Sequence, residues 1–491
     1  MKNKITLIYP GEKEKLSKIK ANIPLRLPLS ILSLTPFLEK EDFEVKILDM
    51  RVSDYHECDF SDNLCVGISA KTGPEILFGL EVAKYVKNQN PDVRIVWGGI
   101  HASIFPEQTV ENKYLDVVVK GEGEISFLEV VKKFQENKSY EDVKGISYCK
   151  NGNVISNPNG EFIDMENLPR PGYHLIDLKN YYNIQNSFDY QSSRGCPYKC
   201  KFCYNLSFSN RRWRKKSVET VINDLEYLRK EYDINKVEFI DDIFFVNKNR
   251  VRNICEQLIK NNIKISWTSS CRVDDFSKYE SDFIRLLKES GCHSVLFGAE
   301  SGSPAILDFI EKEITVEHIE KAVKKAAAGG INPIIGFIAG FPNETRQDVE
   351  KTINIISKLK KIDKRVEVNG CWVYCPYPGT PLFDISMEKG LKVPDRLEDW
   401  AQWSFNTVTI PWLDKKYTAE LMALSSIVRF QYFCQEYLIR SKGSKLEVLI
   451  FKAINFPLNL LAKYRLNNKK FNYAFEWRAW SFLVRQIVGH S

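Results

Sequence analysis

Cys196, Cys200 and Cys203 stand in Ser192-Ser193-Arg194-Gly195-Cys196-Pro197-Tyr198-Lys199-Cys200-Lys201-Phe202-Cys203-Tyr204, a CxxxCxxC spacing. Three thiolates this close in sequence can hold three irons of a four-iron cluster and leave the fourth iron open to a small molecule. Structural zinc is the competing chemistry, but it takes four ligands and usually opens with a CxxC pair. Only three cysteines lie within local reach here, and the aromatic Phe202 directly precedes the third.

These residues need elements to position them. At 491 residues the chain is long enough for two or three domains. Between 1 and 145, short β-rich runs alternate with amphipathic stretches. The strand candidates are Ile5 to Tyr9, Phe43 to Leu48, Leu64 to Ser69, Val93 to Trp97 and Val117 to Val119. Pro74 to Asn88 has apolar residues at helical spacing. The alternation predicts a parallel, doubly wound α/β sheet with ligands at the carboxyl ends of its strands. Those ends are small and turn-forming: Gly67 to Gly73, then Gly98-Gly99-Ile100-His101-Ala102, then Gly121-Glu122-Gly123-Glu124. Glycine there lets a bulky ligand approach the backbone closely.

Residues 146–186 read as a connector with Asn-Gly turns and Leu168-Pro169-Arg170-Pro171-Gly172. A second alternating region spans 187–400. Its strands fall at Val237 to Ile240, Ser266 to Ser270, Ser294 to Phe297, Ile331 to Ile338 and Glu367 to Tyr374, with helices such as Val218 to Glu231 and Ser281 to Ser290 between them. About six βα units predict a partial (β/α)6 barrel with its chemistry at the carboxyl ends of the strands. The tail, 401–491, is expected to be mainly helical. It holds 13 basic and 5 acidic residues, against 57 and 58 in the rest of the chain, and 17 of the 60 aromatic residues. Such a basic, aromatic tail on a neutral body points to a module with its own partner.

The 12 cysteines are irregularly spaced and form no secreted-type disulfide framework. The opening Met1 to Pro10 is too short an apolar run for a signal peptide and reads as a first strand. No 18-residue apolar run is found. A cytoplasmic location follows, peripheral on the inner membrane face if the tail engages lipid.

The cysteine stretch resembles the signature of the radical S-adenosylmethionine (SAM) enzymes, and 187–400 is similar to their core throughout. The resemblance implies that Cys196, Cys200 and Cys203 hold a [4Fe–4S] cluster whose open iron binds SAM. It places Phe202 near the adenine. Asp241 and Asp242 stand where the family often has Gly-Gly-Glu for the methionine amino group. Arg272 follows the third strand. Glu300 ends the fourth, placed for the ribose or amino-acid part. Gly336-Phe337-Ile338-Ala339-Gly340-Phe341-Pro342 resembles the strand-five segment that lines adenine, which adds Ile338 and Gly340. Cys375-Pro376-Tyr377-Pro378-Gly379-Thr380-Pro381 resembles a loop after the sixth strand in the cobalamin-binding branch.

The N-terminal region resembles that branch's cobalamin-binding domain. By the resemblance Ser69, Thr72, Gly98, Gly99, His101, Gly121, Glu122 and Gly123 enclose the nucleotide tail of a base-off cobalamin. The Asp-x-His-x-x-Gly motif that supplies a lower axial histidine in cobalamin mutases is absent, and neither His56 nor His101 has that context. The branch commonly manages without it.

Several features also have plain structural readings. Cys65, Cys255 and Cys292 suit small buried positions. Cys371 and Cys375 are four apart on the last strand and would point the same way, open to packing or to a hydrogen-atom role. His293 and His318 read as surface or second-layer residues. The run Arg211 to Lys216 is a small basic footprint on a near-neutral body, better suited to a solvated lid than to nucleic acid, so no nucleic-acid partner is expected. The apolar Leu446 to Ala462, with Lys452 and Pro457, is followed by Lys463, Arg465, Lys469 and Lys470. Phe471, Tyr473, Phe475, Trp477 and Trp480 come next. It serves either as a helical cap on the barrel or as a peripheral membrane contact.

What the resemblance implies for function is a cobalamin-dependent radical SAM enzyme. A 5′-deoxyadenosyl radical would take hydrogen from an unactivated carbon, and methylcobalamin would deliver a methyl group. Rearrangement, cyclisation or oxidation with the same cofactors is the alternative outcome. A non-catalytic cobalamin- or redox-responsive binding protein is the alternative class. A small-molecule or lipid-linked substrate is expected, the lipid from the basic, aromatic tail, together with an electron donor such as a flavodoxin or ferredoxin. No catalytic side chain is assigned from sequence.

Overall fold

The computed structural model describes residues 3–12, 25–181, 187–404, 407, 409–432, 445–476, 478 and 479; over 445–455 it gives the backbone course only. Trp477 and Trp480 lie outside the described residues. The chain divides into two compact units. One takes the described residues up to 181 together with 392–407. The other takes 187–391 and the described residues from 409 onward.

The first unit is a seven-stranded sheet. Its strands are β1 (Lys4–Tyr9), β2 (Glu44–Asp49), β3 (Cys65–Ser69), β4 (Arg94–Gly98), β5 (Val117–Val119), β6 (Ile146–Lys150) and β7 (Asn153–Ser156), in the order β2-β1-β3-β4-β5-β6-β7. The first five pair in parallel, as the alternation predicts. Parallel strands carry helices on both faces and so read as continuous apolar runs: β3 and β5 are buried almost throughout. Pro74–Gln89 and Gly123–Gln135 are the longest of these helices.

The stretch read as a connector contributes structure. β5 pairs antiparallel with β6, and β6 with β7. Asn151 and Gly152 make the turn with φ of 53° and 80°, the primed geometry that Asn-Gly favours in two-residue hairpins. Antiparallel additions need no crossover helix, so they fit a segment too short for another βα unit.

The second unit holds six parallel strands in chain order: β8 (Phe188–Tyr190), β11 (Lys236–Phe239), β12 (Ser266–Cys271), β13 (Cys292–Glu300), β14 (Asn332–Ala339) and β15 (Glu367–Val373). A short two-stranded pair, β9 (Ser193–Arg194) and β10 (Arg214–Lys215), brackets the cysteine loop. This is the partial barrel expected from sequence. Its helices start where sequence chemistry directs: Ser217 accepts from the Thr220 N–H, and Thr315/His318 and Thr345/Asp348 form capping boxes.

Burial alternates along the barrel strands. On β14, Pro333, Ile335, Phe337 and Ala339 are buried while Asn332, Ile334, Gly336 and Ile338 are half-exposed. On β12 the half-exposed set is Ser266, Thr268 and Ser270. The fully buried face packs under helices. The other face is less tightly covered, and a Cβ on Gly336 would meet nothing within 4 Å. That leaves room inside the barrel. The described tail is mainly helical, with Lys415–Tyr432 against β15 and Lys445–Asn467 against that helix.

Candidate active site

The cysteine loop is held at both ends by the acidic pair that follows β11. Asp241 is 4% exposed. Its Oδ1 accepts from the Ser192 N–H at 2.6 Å, and its Oδ2 from the Ser192 and Ser193 hydroxyls, each at 2.6 Å. Burial pushes its pKa up, and the serine donors pull against that. Asp242 accepts from the Gly195 N–H at 2.7 Å and from the Tyr204 hydroxyl at 2.9 Å. Arg250 donates to the Ser192 carbonyl and hydroxyl, each at 3.1 Å. A buried carboxylate needs donors, and this loop supplies them. Asp241 is therefore occupied on both oxygens by the loop itself.

Gly195 has φ of +85°, and a Cβ there would lie 2.0 Å from the Arg212 carbonyl oxygen. Only glycine fits the turn into Cys196. The middle of the loop is tied to two other elements: the Lys201 N–H donates to Ile310 and its carbonyl accepts from the Leu382 N–H. Tyr198 donates to Asp275 at 2.9 Å, with the Arg272 guanidinium 3.9 Å from its ring centroid. Arg272 also donates to Asp274 and to the Lys312 carbonyl.

Glu300 ends β13 with φ of +61°. Its Oε1 accepts from Lys312 Nζ at 2.8 Å. Lys312 lies 5.8 Å from the Phe202 ring centroid. The Cys200 sulfur lies close enough to Lys312 and Arg272 to help hold both of them charged. Phe202, Phe341, Tyr374 and Ile338 share one apolar cluster, so Phe202 and Ile338, two of the three residues expected beside adenine, are brought together. Gly340 donates its N–H to Glu344, whose carboxyl is pushed up to about 8 by burial. The sequence reading missed Lys312, Tyr198, Tyr204 and Glu344. Lys312 lies between Glu311 and Glu313 and looks like a solvated turn; only the fold turns it inward.

Burial raises the Cys196 thiol, and the Cys203 thiol to about 11. Ligating sulfur must be deprotonated, so this donor set suits a strongly cationic group, which reverses the penalty. Among the described residues no three His, Cys, Asp or Glu side chains gather around one metal ion. A cluster sets a different requirement, because each thiolate takes its own iron and the sulfurs need not converge on one point.

In the first unit the three glycine-rich strand ends lie side by side. Gly99 has φ of +100°, and a Cβ there would come within 2.5 Å of the Ala70 carbonyl. Ser103 donates to the Gly99 carbonyl and accepts from the Gly121 N–H, both at 2.8 Å. Gly121 has φ of +72° with nothing within 4 Å of a Cβ, and Gly123 opens the next helix. Ser69 pairs with Ser30 at 3.1 Å. Gly98 accepts from the Ala70 N–H. The Glu122 carboxylate accepts from the Ile163 N–H at 3.0 Å, so it anchors the segment after the hairpin.

His101 is fully buried. Its Nδ1 meets the Thr72 hydroxyl at 3.0 Å, while its Nε2 has no partner. Burial pulls its pKa down to about 4. The returning segment 392–407 supplies Trp400, whose ring lies 5.3 Å from that of His101. Trp400 donates to Gln108 at 2.7 Å, and Gln108 to the Pro394 carbonyl at 3.0 Å. An orphaned nitrogen on His101 and an open turn at Gly121, each at one of these strand ends, fit a large polar ligand there.

The fold and site define a radical SAM enzyme with an N-terminal cobalamin-binding domain, and the chain belongs to that family. Residues 190–356 match the radical SAM superfamily and 26–131 the B12 binding domain. An uncharacterized methyltransferase of Pyrococcus horikoshii is 36% identical over 79% of this chain and 84% of its own length. The anaerobic magnesium-protoporphyrin IX monomethyl ester cyclase of Rubrivivax gelatinosus is 26% identical over 82% of this chain and 73% of its own. The radical SAM methyltransferase TsrM of Kitasatospora setae, solved with cobalamin and a [4Fe–4S] cluster bound, superposes with a TM-score of 0.71. It is 17% identical, and the match covers 100% of both chains. The cofactors of this enzyme class are a [4Fe–4S] cluster, SAM and cobalamin.

Proposed function

We propose that this enzyme methylates an unactivated carbon of a small or lipid-linked substrate. The observation that carries the reading is the three-cysteine loop pinned by Asp241 and Asp242 at the carboxyl end of a partial barrel, in a chain that also has a B12-binding domain. The 36% identity to a methyltransferase supports methylation over the cyclisation named for a more distant relative.

When bound, the cluster and SAM supply hydrogen-atom abstraction and cobalamin supplies the methyl group. The protein binds and orients. Cys196, Cys200 and Cys203 take three irons. Phe202, Ile338 and Gly340 line the adenine, and Glu300, with Arg272 behind it, takes the ribose or amino-acid part. Asp242, less buried than Asp241, receives the methionine amino group, while Asp241 positions the loop. Ser69, Thr72, Gly98, Gly99, His101, Gly121 and Gly123 hold the nucleotide tail of cobalamin, and Glu122 steadies their loop. A cytoplasmic one-electron donor of the flavodoxin or ferredoxin type would supply the electron that the bound cluster needs.

The test is anaerobic purification from cobalamin-fed cells, followed by SAM cleavage and transfer of isotope-labelled methyl to candidate substrates. About four irons and one corrinoid per chain, with labelled product heavier by one methylene unit, are expected. Iron without corrinoid would remove the methyl-carrier reading and leave the radical SAM core.

A further inference from the structure

The carboxyl-terminal helix presents an apolar stripe to solvent that is out of keeping with the rest of the surface. Phe456 is 67% exposed, Leu460 54% and Tyr464 52%, at positions i, i+4 and i+8 of Lys445–Asn467. That spacing puts them on one face. Ala462 and Leu466, on the opposite side of the helix, are buried. Tyr473 and Phe475 follow at 49% and 54%.

Each exposed tyrosine is matched with a cation. Lys470 Nζ lies 5.5 Å from the Tyr464 ring centroid, and the Arg478 guanidinium 4.7 Å from that of Tyr473. Lys463 is exposed beside the stripe. Glu476 is the single acid from 456 to 479. It is fully buried, with Arg465 donating to both its oxygens at 2.8 and 3.1 Å. That ion pair folds 471–476 back toward the helix and neutralises the one acid of 456–479, while Glu350, from the helix Arg346–Lys360, comes beside this stretch as the partner of Lys469.

We propose that this face docks on an anionic lipid bilayer, with Phe456, Leu460, Tyr464, Tyr473 and Phe475 entering the interface and Lys463, Lys470 and Arg478 meeting the headgroups. Apolar side chains backed by cations, with the nearby acids Glu476 and Glu350 each held by a basic partner, are what an anionic interface rewards, and amphipathic tyrosines sit at headgroup depth. A protein partner of acidic surface would match the charge but would leave the apolar stripe without a complement. Among the described residues no helix is long and apolar enough to cross a membrane, so the contact is one of lying on the surface. The helix rests against Lys415–Tyr432, which itself packs on β15, so the docked face belongs to the unit that carries the cysteine loop. This inference does not depend on the reaction proposed above.

The test is co-sedimentation of the full holoenzyme with vesicles of phosphatidylcholine alone and of phosphatidylcholine with phosphatidylglycerol. Binding is expected only to the anionic vesicles, falling at least tenfold as salt rises from low to near-molar. Phe456→Ser/Leu460→Ser/Tyr464→Ser and Lys463→Glu/Lys470→Glu should each bind at least tenfold more weakly while keeping wild-type SAM cleavage and melting temperature. Absence of wild-type binding, or binding unchanged in both variants, overturns the proposal. So does a concentration-dependent dimer abolished by the serine variant, which would give the stripe to a second copy of the chain. Loss of SAM cleavage with vesicle binding intact would instead count against the enzymatic reading alone.

Discussion

Lys312 donates from Nζ to Glu300 Oε1 over 2.8 Å, with side-chain exposures of only 11% and 10%. Breaking a desolvated pair strands the remaining charge. Lys312→Met should therefore lower unfolding stability by ~3–5 kcal/mol, and Lys312→Met/Glu300→Gln should recover most of that. SAM affinity should fall in both variants. Denaturant midpoints and SAM titrations read the two effects separately. A single variant costing no more than an ordinary surface change would mean that the pair is solvated.

Gly195→Ala should empty the cluster site. Gly152→Ala is the control: both positions have φ near +80°, but a Cβ at Gly195 meets the Arg212 carbonyl and one at Gly152 meets nothing within 4 Å. The left-handed penalty is ~1 kcal/mol at either site. Iron per chain should fall by more than half in the first variant and stay unchanged in the second. Equal iron content in the two would place the loop's tolerance well beyond this geometry.

Glu344 sets a pH dependence. Its folded pKa is raised from 4.5 to about 8, chiefly by burial. The protonated form is favoured in the fold, so the stabilisation is complete below the unfolded value and is lost as pH rises from about 4.5 through about 8. Glu344→Gln keeps an acceptor for Gly340 and Phe341 and removes the titration. Its unfolding midpoint should be flatter than wild type across that window. Parallel pH profiles for the two proteins would refute the assignment.

His101 should titrate in the opposite sense. Burial holds its pKa at about 4, below its ordinary 6.5. The ring is neutral across pH 5–8, and the stability tied to it is lost as pH falls from 6.5 toward 4. Cobalamin affinity should thus show no imidazole titration between pH 6.5 and 8. His101→Leu, which also strips the partner from Thr72, should weaken cobalamin binding at least tenfold with SAM cleavage retained. Equilibrium dialysis against cobalamin settles it, and unchanged affinity would reduce His101 to packing.

The cysteine spacing, the two βα alternations and the glycine-rich strand ends were legible because each is a local pattern with a local physical cause. The strands from Ile5–Tyr9 to Glu367–Tyr374 fall within a residue or two of those observed, except that the one read as Ser294–Phe297 runs on to Glu300. Hairpin β6–β7 was legible only as its Asn-Gly turn, because Ile146–Lys150 has no period of its own and becomes a strand by pairing with β5. The inward turn of Lys312 and the occupation of Asp241 by Ser192 and Ser193 depend on residues about 10 to 50 positions apart. Composition cannot announce such meetings. The tail's basic and aromatic bias was visible, but whether its side chains would be covered was not.

Trp400 lies against His101 although nearly three hundred residues separate them. Topologically, the barrel is an insertion within the domain that precedes it. During synthesis the first domain can form its sheet early but cannot bury His101 until residue 400 has left the ribosome. Closing so long a loop is slow relative to local pairing. The last step in completing the cobalamin-binding domain therefore waits on the enzyme's other half, so a nascent chain has its barrel made before its cobalamin-binding domain is finished.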